Sequence, residues 1–228
     1  MSTILVVAAH PDDEILGVGA TIAKHVKNGD DAYALILGEG QTSRTSTREE
    51  TNPCVVEELH KNSVSASKII GYKEIYFENF PDNRFDQVDL LDIVKVVEKY
   101  IARIQPDIVY THHKGDLNID HQYTFRAVMT GTRPVNNYCV KEIYCFETVS
   151  STEWNFSYGD DAFNPDTFVN IEDTFETKIR AMKHYKSELG EFPHPRSLES
   201  LDISARRWGT VTGMKYAEAF ETLRVIRN

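Results

Sequence analysis

Two polar clusters interrupt an otherwise apolar framework, and both consist of residues that bind cations and move protons. The first, His10-Pro11-Asp12-Asp13-Glu14, directly follows an apolar run. Pro11 drives His10 into an extended conformation, which fixes the direction of its imidazole, and the turn brings a nearby carboxylate back towards it. An imidazole beside a carboxylate suits a metal ligand pair. Acidic residues at this point also complement the positive end of a helix, but one is enough for that and the segment carries three in a row. The second cluster, from Thr111 to His121, reads Thr-His-His-Lys-Gly-Asp-Leu-Asn-Ile-Asp-His. Alone, it also reads as a polar loop in which Asp120 caps a helix and the histidines face solvent. Its pairing with the first cluster favours chemistry.

The elements that must position these clusters alternate between strand and helix. Ile4 to Ala9 is continuously apolar and rich in branched residues, as a strand is when helices cover both faces of a parallel sheet. Ile15, Val18, Ile22 and Val26 then recur at helical spacing, and Asn28-Gly29-Asp30 supplies the stop. Ala32 to Leu37 predicts a second strand, and the polar stretch from Glu39 to Pro53 a long loop of the kind that serves a site. A helix over about Val55 to Ile70, a strand at Glu74 to Phe77, a helix with Leu90, Ile93, Val94, Val97 and Ile101 on one face, and a strand at Ile108 to Tyr110 continue the pattern. Beyond about Val140 the order is less regular, with strands near Glu142 to Phe146 and Thr167 to Asn170 and helices near Asp173 to Ser187 and Leu198 to Arg207. The reading is an α/β fold, a Rossmann-like, doubly wound, mostly parallel sheet with a less regular C-terminal part. In such sheets ligands bind beyond the carboxyl ends of the strands, and both clusters fall on that rim. No internal repeat or linker marks a boundary, so 1–228 is expected to form one domain.

Composition limits the partners. A 228-residue chain with 41% hydrophobic residues can bury a substantial core. A formal net charge of -10 offers no basic surface for a phosphate backbone, which argues against nucleic acid. Cys54, Cys139 and Cys145 make an odd count without CxxC spacing, suggesting neither a disulfide framework nor a cysteine zinc cage and fitting a reducing cytoplasm. The run at Ile4 to Ala9 has no basic residue before it and is too short for a signal peptide. No stretch approaches the roughly eighteen apolar residues needed to span a bilayer, so no membrane is expected.

His10-Pro11-Asp12-Asp13-Glu14 after an apolar strand, with Asn118-Ile119-Asp120-His121 later, closely resembles the PIG-L or LmbE-like zinc deacetylases. The resemblance runs through most of the chain, including Phe80-Pro81-Asp82-Asn83 and Pro193-His194-Pro195-Arg196-Ser197. It implies removal of an acetyl group from an N-acetylated sugar or related glycoconjugate, one Zn2+ per chain (with Fe2+ or another divalent ion as the alternative), and a homo-oligomer. Carried over by residue, it assigns the metal to His10, Asp13 and His121 and makes Asp12 the general base. Physical chemistry permits that division, since two imidazoles and a carboxylate leave tetrahedral zinc one position for water. Asp120 is expected to orient His121 from behind. Many family members carry a histidine where this chain has Asn118, to which the resemblance gives oxyanion stabilisation. An asparagine amide donates a hydrogen bond but cannot shuttle a proton, so either Asp12 performs both transfers or another histidine, among His112, His113 and His194, enters the site.

Arg44, Arg48, Asp82, Asn83, Arg84 and His194 are further candidates for binding sugar hydroxyls or a phosphate, against a reading of each as a solvated loop residue. Two histidines and a carboxylate also describe the facial triad of non-haem iron oxygenases, although the sheet pattern argues against that class. A sugar-binding protein that keeps the metal site without turnover is a third reading, kept open by Asn118.

Overall fold

In a computed structural model, which describes residues 1–135, 138–156 and 159–227, the order of elements begins with β1 (Thr3–Ala8), α1 (Asp13–Leu16), α2 (Gly19–Lys27), β2 (Asp31–Gly38), α3 (Pro53–Ile70) and β3 (Glu74–Phe80). It continues with α4 (Leu90–Ile104), β4 (Ile108–His112), α5 (Ile119–Gly131), β5 (Glu142–Phe146), β6 (Thr167–Asn170), α6 (Phe175–Met182), α7 (Leu198–Thr212) and β7 (Ala217–Val225). The strands form one seven-stranded sheet in the order β3-β2-β1-β4-β5-β7-β6. Its first five members run parallel, whereas β7 is antiparallel to both β5 and β6.

Strand β1 shows why the sheet is doubly wound. Ile4 and Val6 belong to a core shared with α1, α2, α3, α6 and α7, whereas Leu5 and Val7 belong to another beneath α4 and α5. All four are fully buried, as a strand covered on both faces requires. Because the chain leaves β1 towards β2 on one side and pairs with β4 on the other, the carboxyl ends of β1 and β4 flank the switch point where open α/β sheets bind ligands.

Three expectations change. The helix expected to run through Ile15, Val18, Ile22 and Val26 breaks after Leu16 and restarts at Gly19. The buried carboxylate of Glu218 explains the restart, accepting hydrogen bonds from the Ala20 and Thr21 amides at 3.2 and 2.7 Å. The helix expected over Asp173 to Ser187 spans only Phe175–Met182. Strand β7 has no counterpart in the sequence reading. Its run from Ala217 to Phe220 is buried without alternation, and Glu218 within it is satisfied by Lys178 at 2.7 Å.

Candidate metal centre

The rim beyond β1 turns sharply. Asp12 has φ of 108°, a conformation L residues rarely adopt, and it is held there by neighbours. Its amide donates to Glu14 Oε2 at 2.9 Å, and Glu14 is anchored in turn by the Tyr185 hydroxyl. Burial pushes the Glu14 carboxyl up to about 7. The same turn brings Asp13 back over His10, whose amide donates to Asp13 Oδ2 at 2.9 Å. His121 arrives from the first turn of α5, and its Nε2 lies 3.3 Å from that oxygen.

Donor atoms of His10, Asp13 and His121 all fall within 4.8 Å of one another. Asp13 Oδ1 and His121 Nε2 are buried without hydrogen-bond partners. Such atoms are costly to bury unpaired, and a cation would satisfy both, so these residues fit a divalent metal. His10 Nδ1 lies 3.5 Å from Asp13 Oδ2, which leaves Nε2 facing Asp120 at 2.9 Å and Asp82 at 3.1 Å.

Without an ion the group is an ionic cluster. Burial disfavours charged imidazoles, but Asp120, Asp13 and Asp82 hold His10 well above its ordinary pKa. Burial is likewise overcome at His121, raised to about 9 by Asp116 and Asp13. Burial would raise the Asp13 carboxyl, yet His121, His112 and His10 hold it well below the ordinary range. Burial raises Asp12 well above that range, opposed by Arg196, whose Nη1 reaches Asp12 Oδ2 at 2.9 Å.

A polar cavity of about 120 Å³ opens above the cluster. His10, Asp12, Arg44, Asp82, Asn83 and Asn118 line part of its wall. Asp82 is already engaged, accepting from the Ser43 amide and hydroxyl at 3.0 and 2.7 Å, and the His10 interaction holds its carboxyl at about 2 despite burial. Asn118 caps α5 through its carbonyl oxygen, which accepts from the Asp120 amide at 2.8 Å, and its Nδ2 donates to Asn83 Oδ1 at 2.8 Å. One amide hydrogen of Asn118 therefore remains beyond these contacts.

Other candidates sit elsewhere. Arg48, Arg84 and His194 do not line this cavity. Arg48 grips Glu39 with Nε and Nη2 at 2.7 and 2.9 Å. Asp120, expected to orient His121, instead accepts from His10 and from the Asn83 and Phe85 amides at 2.6 and 2.9 Å. Its side chain leaves the first turn of α5 towards the 83–85 loop, and Asp116 stands beside His121 instead, with Oδ1 3.2 Å from Nδ1. Nor does any of the three alternative histidines line the cavity. His112 stacks on His121 at 3.9 Å between centroids; its Nε2 accepts from the Ala9 amide and its Nδ1 faces Thr148 Oγ1. Burial, with His121 beside it, lowers His112 to about 3. His113 pairs with Glu221, and His194 is exposed.

Arg196 and Glu188, both in the wall, and Asp116 beneath it were not singled out from sequence. Arg196 lay within the segment that carried the family resemblance, and Asp116 within the second cluster. Nothing local marks Glu188.

A family model for PIG-L, described as GlcNAc-PI de-N-acetylase, matches residues 5–131. The chain belongs to the PIG-L family. "Uncharacterized deacetylase YaiS" of Escherichia coli K12 is 30% identical over 190 residues, covering 81% of this chain and 90% of that protein. The "Diacetylchitobiose deacetylase" of Thermococcus kodakarensis is 26% identical over 226 residues, 94% of this chain and 80% of the relative. Among solved structures, GalB, the 4-carboxy-2-hydroxymuconate hydratase of Pseudomonas putida KT2440, superposes with a TM-score of 0.75 at 21% identity, covering 100% of this chain and 99% of that one. That likeness shows the fold alone, and a hydratase carries it.

Proposed function

We propose that this PIG-L chain is a metal-dependent hydrolase that removes the acetyl group from an N-acetylated sugar or glycoconjugate, with zinc as the ion. The observation that carries the reading is the convergence of unpartnered Asp13 Oδ1 and His121 Nε2 beside His10, under a polar cavity that Asp12 lines. Relatives named as deacetylases, one of them acting on diacetylchitobiose, favour amide hydrolysis over the hydration named for GalB.

His10, Asp13 and His121 would hold the ion, which when bound supplies Lewis acidity to water and to the acyl oxygen. Asp12 accepts the proton of the attacking water. A carboxyl raised by burial is suited to the return step, in which Asp12 passes that proton to the departing amine. Arg196 fixes Asp12 Oδ2, leaving Oδ1 for this traffic. The spare amide hydrogen of Asn118 donates to the oxyanion that develops at the acyl oxygen as the carbon becomes tetrahedral. Asp116 and Asp120 orient His121 and His10 from behind, the role that carboxylates play around metal-bound imidazoles. Because neither nitrogen of His112 is available, and His113 and His194 do not line the cavity, Asp12 carries both proton transfers.

Among the described residues three thiols are unpaired, which fits a reducing cytoplasm, and no helix is long and apolar enough to cross a membrane. Acetate release from a panel of N-acetyl sugars is the test. Turnover should vanish with a chelator and return with zinc. Acetate release indifferent to chelation would remove the metal from the mechanism, and sugar binding without acetate would favour a binding protein.

A further inference from the structure

The cations at the mouth of the cavity are already paired. Arg44 Nη2 lies 2.6 Å from Glu188 Oε2, and Arg196 Nη1 lies 3.6 Å from the same oxygen and 2.9 Å from Asp12. Arg48, the next cation along the 39–53 loop, is held by Glu39 through two nitrogens. Glu188 is only 9% exposed, and its Oε1 takes hydrogen bonds from the Gln41 amide and, at 2.9 Å, the Ser187 hydroxyl. Drawing Arg44 towards a ligand would leave Glu188 Oε2 with only the longer Arg196 contact, and drawing Arg196 away would cost Asp12 its 2.9 Å partner, both unfavourable for carboxylates this buried.

Local charge points the same way. In the cavity wall, the carboxylates of Asp12, Asp82 and Glu188 outnumber the guanidiniums of Arg44 and Arg196, and Asp13, Asp116 and Asp120 lie beneath. A divalent ion among His10, Asp13 and His121 offsets only part of this excess. An incoming phosphate or carboxylate meets repulsion and finds both arginines of the wall already paired, whereas hydroxyls can exchange hydrogen bonds with the amides of Gln41, Asn83 and Asn118 there.

We infer that the cavity selects uncharged N-acetyl sugars and glycosides over those bearing phosphate or carboxylate, and that Glu188 enforces the selection by keeping Arg44 occupied while Asp12 holds Arg196. The selection rests on the deacetylase reading. Glu188 is accordingly a specificity residue of this wall.

The experiment compares kcat/KM for the methyl glycoside of N-acetylglucosamine, N,N'-diacetylchitobiose, N-acetylglucosamine 1-phosphate and N-acetylglucosamine 6-phosphate, in wild type and Glu188→Gln, at low and high salt. In wild type the uncharged pair should lead each phosphate by about tenfold or more at low salt. Added salt should narrow that lead, since screening weakens charge discrimination but not steric exclusion. In Glu188→Gln the released Arg44 should narrow it by about tenfold. Equal or better turnover of the phosphates by wild type overturns the inference while leaving the deacetylase reading standing. A lead unmoved by both salt and Glu188→Gln assigns the discrimination to shape and also overturns it. Acetate release from none of the four overturns the deacetylase reading, and the inference with it. If Glu188→Gln fails a circular dichroism check, the salt response of wild type decides between charge and shape.

Discussion

Asp12 and Asp13 are neighbours in the chain and opposites in environment. Asp13 sits between imidazoles with one oxygen unpartnered, whereas Asp12 faces the cavity on the arm of Arg196. Replacing each with Asn should therefore cause different failures. Asp13→Asn should lose metal affinity and regain some activity with added zinc. Asp12→Asn should keep its metal and lose turnover by about 10²- to 10⁴-fold, equivalent to roughly 3 to 5.5 kcal/mol of barrier, without rescue. Elemental analysis beside kinetics separates them, and metal loss confined to the Asp12 variant would reverse the roles. Protonation provides a second test. His121 titrates near 9 without an ion and His10 well above its usual range, so at neutral pH a cation must displace those protons. Zinc affinity should consequently rise with pH through the neutral range, by about tenfold per unit for each proton displaced, and calorimetry in buffers of different ionisation enthalpy should register proton release. An affinity constant from pH 6 to 8 would contradict it. The ligand candidates were legible because a strand end followed by His-Pro-Asp-Asp-Glu is a dense local signal. Asp120 misled because adjacency in sequence to His121 says nothing about which way a helix turns its side chains; on α5 the two residues diverge, and the loop at Asp116 fills the vacated place.

Secondary structure was legible wherever one face of an element is apolar, and illegible where a distant charge intervenes. The α1–α2 break depends on Glu218, 198 residues beyond Ala20, and β7 is hard to read because its buried run includes that same carboxylate. Gly17, at the break, shows how tightly these elements meet. A Cβ added there would stand 2.1 Å from the Phe146 ring on β5. Phe146 is fully buried and packs edge-on against His112, which stacks on His121. Gly17→Ala should destabilise the fold by about 1–3 kcal/mol through overpacking, read as a lower urea midpoint with an unchanged slope. An unaltered midpoint would mean that Phe146 can withdraw freely.

At the scale of the whole molecule, the cluster joins the ends of β1 and β4, and the 39–53 loop is fastened over it through Arg44 on Glu188 and Ser43 on Asp82. Charge, topology and the two sequence clusters indicated the rim of the sheet, but not this fastening. The loop lacks an apolar face that would predict where it docks, and its anchors at Asp82 and Glu188 are remote in sequence. The Ser43 attachment makes the loop a reporter on the centre. Its amide donates to one oxygen of Asp82 while the other oxygen faces His10 Nε2. Hydrogen–deuterium exchange of the Ser43 amide should slow when zinc is added, because an ion fixing His10 removes one of the local openings through which that amide meets solvent. In His10→Ala the same amide should exchange at one rate with or without the ion. A surface loop thus becomes a clock for occupancy of the buried centre, timed by how often it lifts.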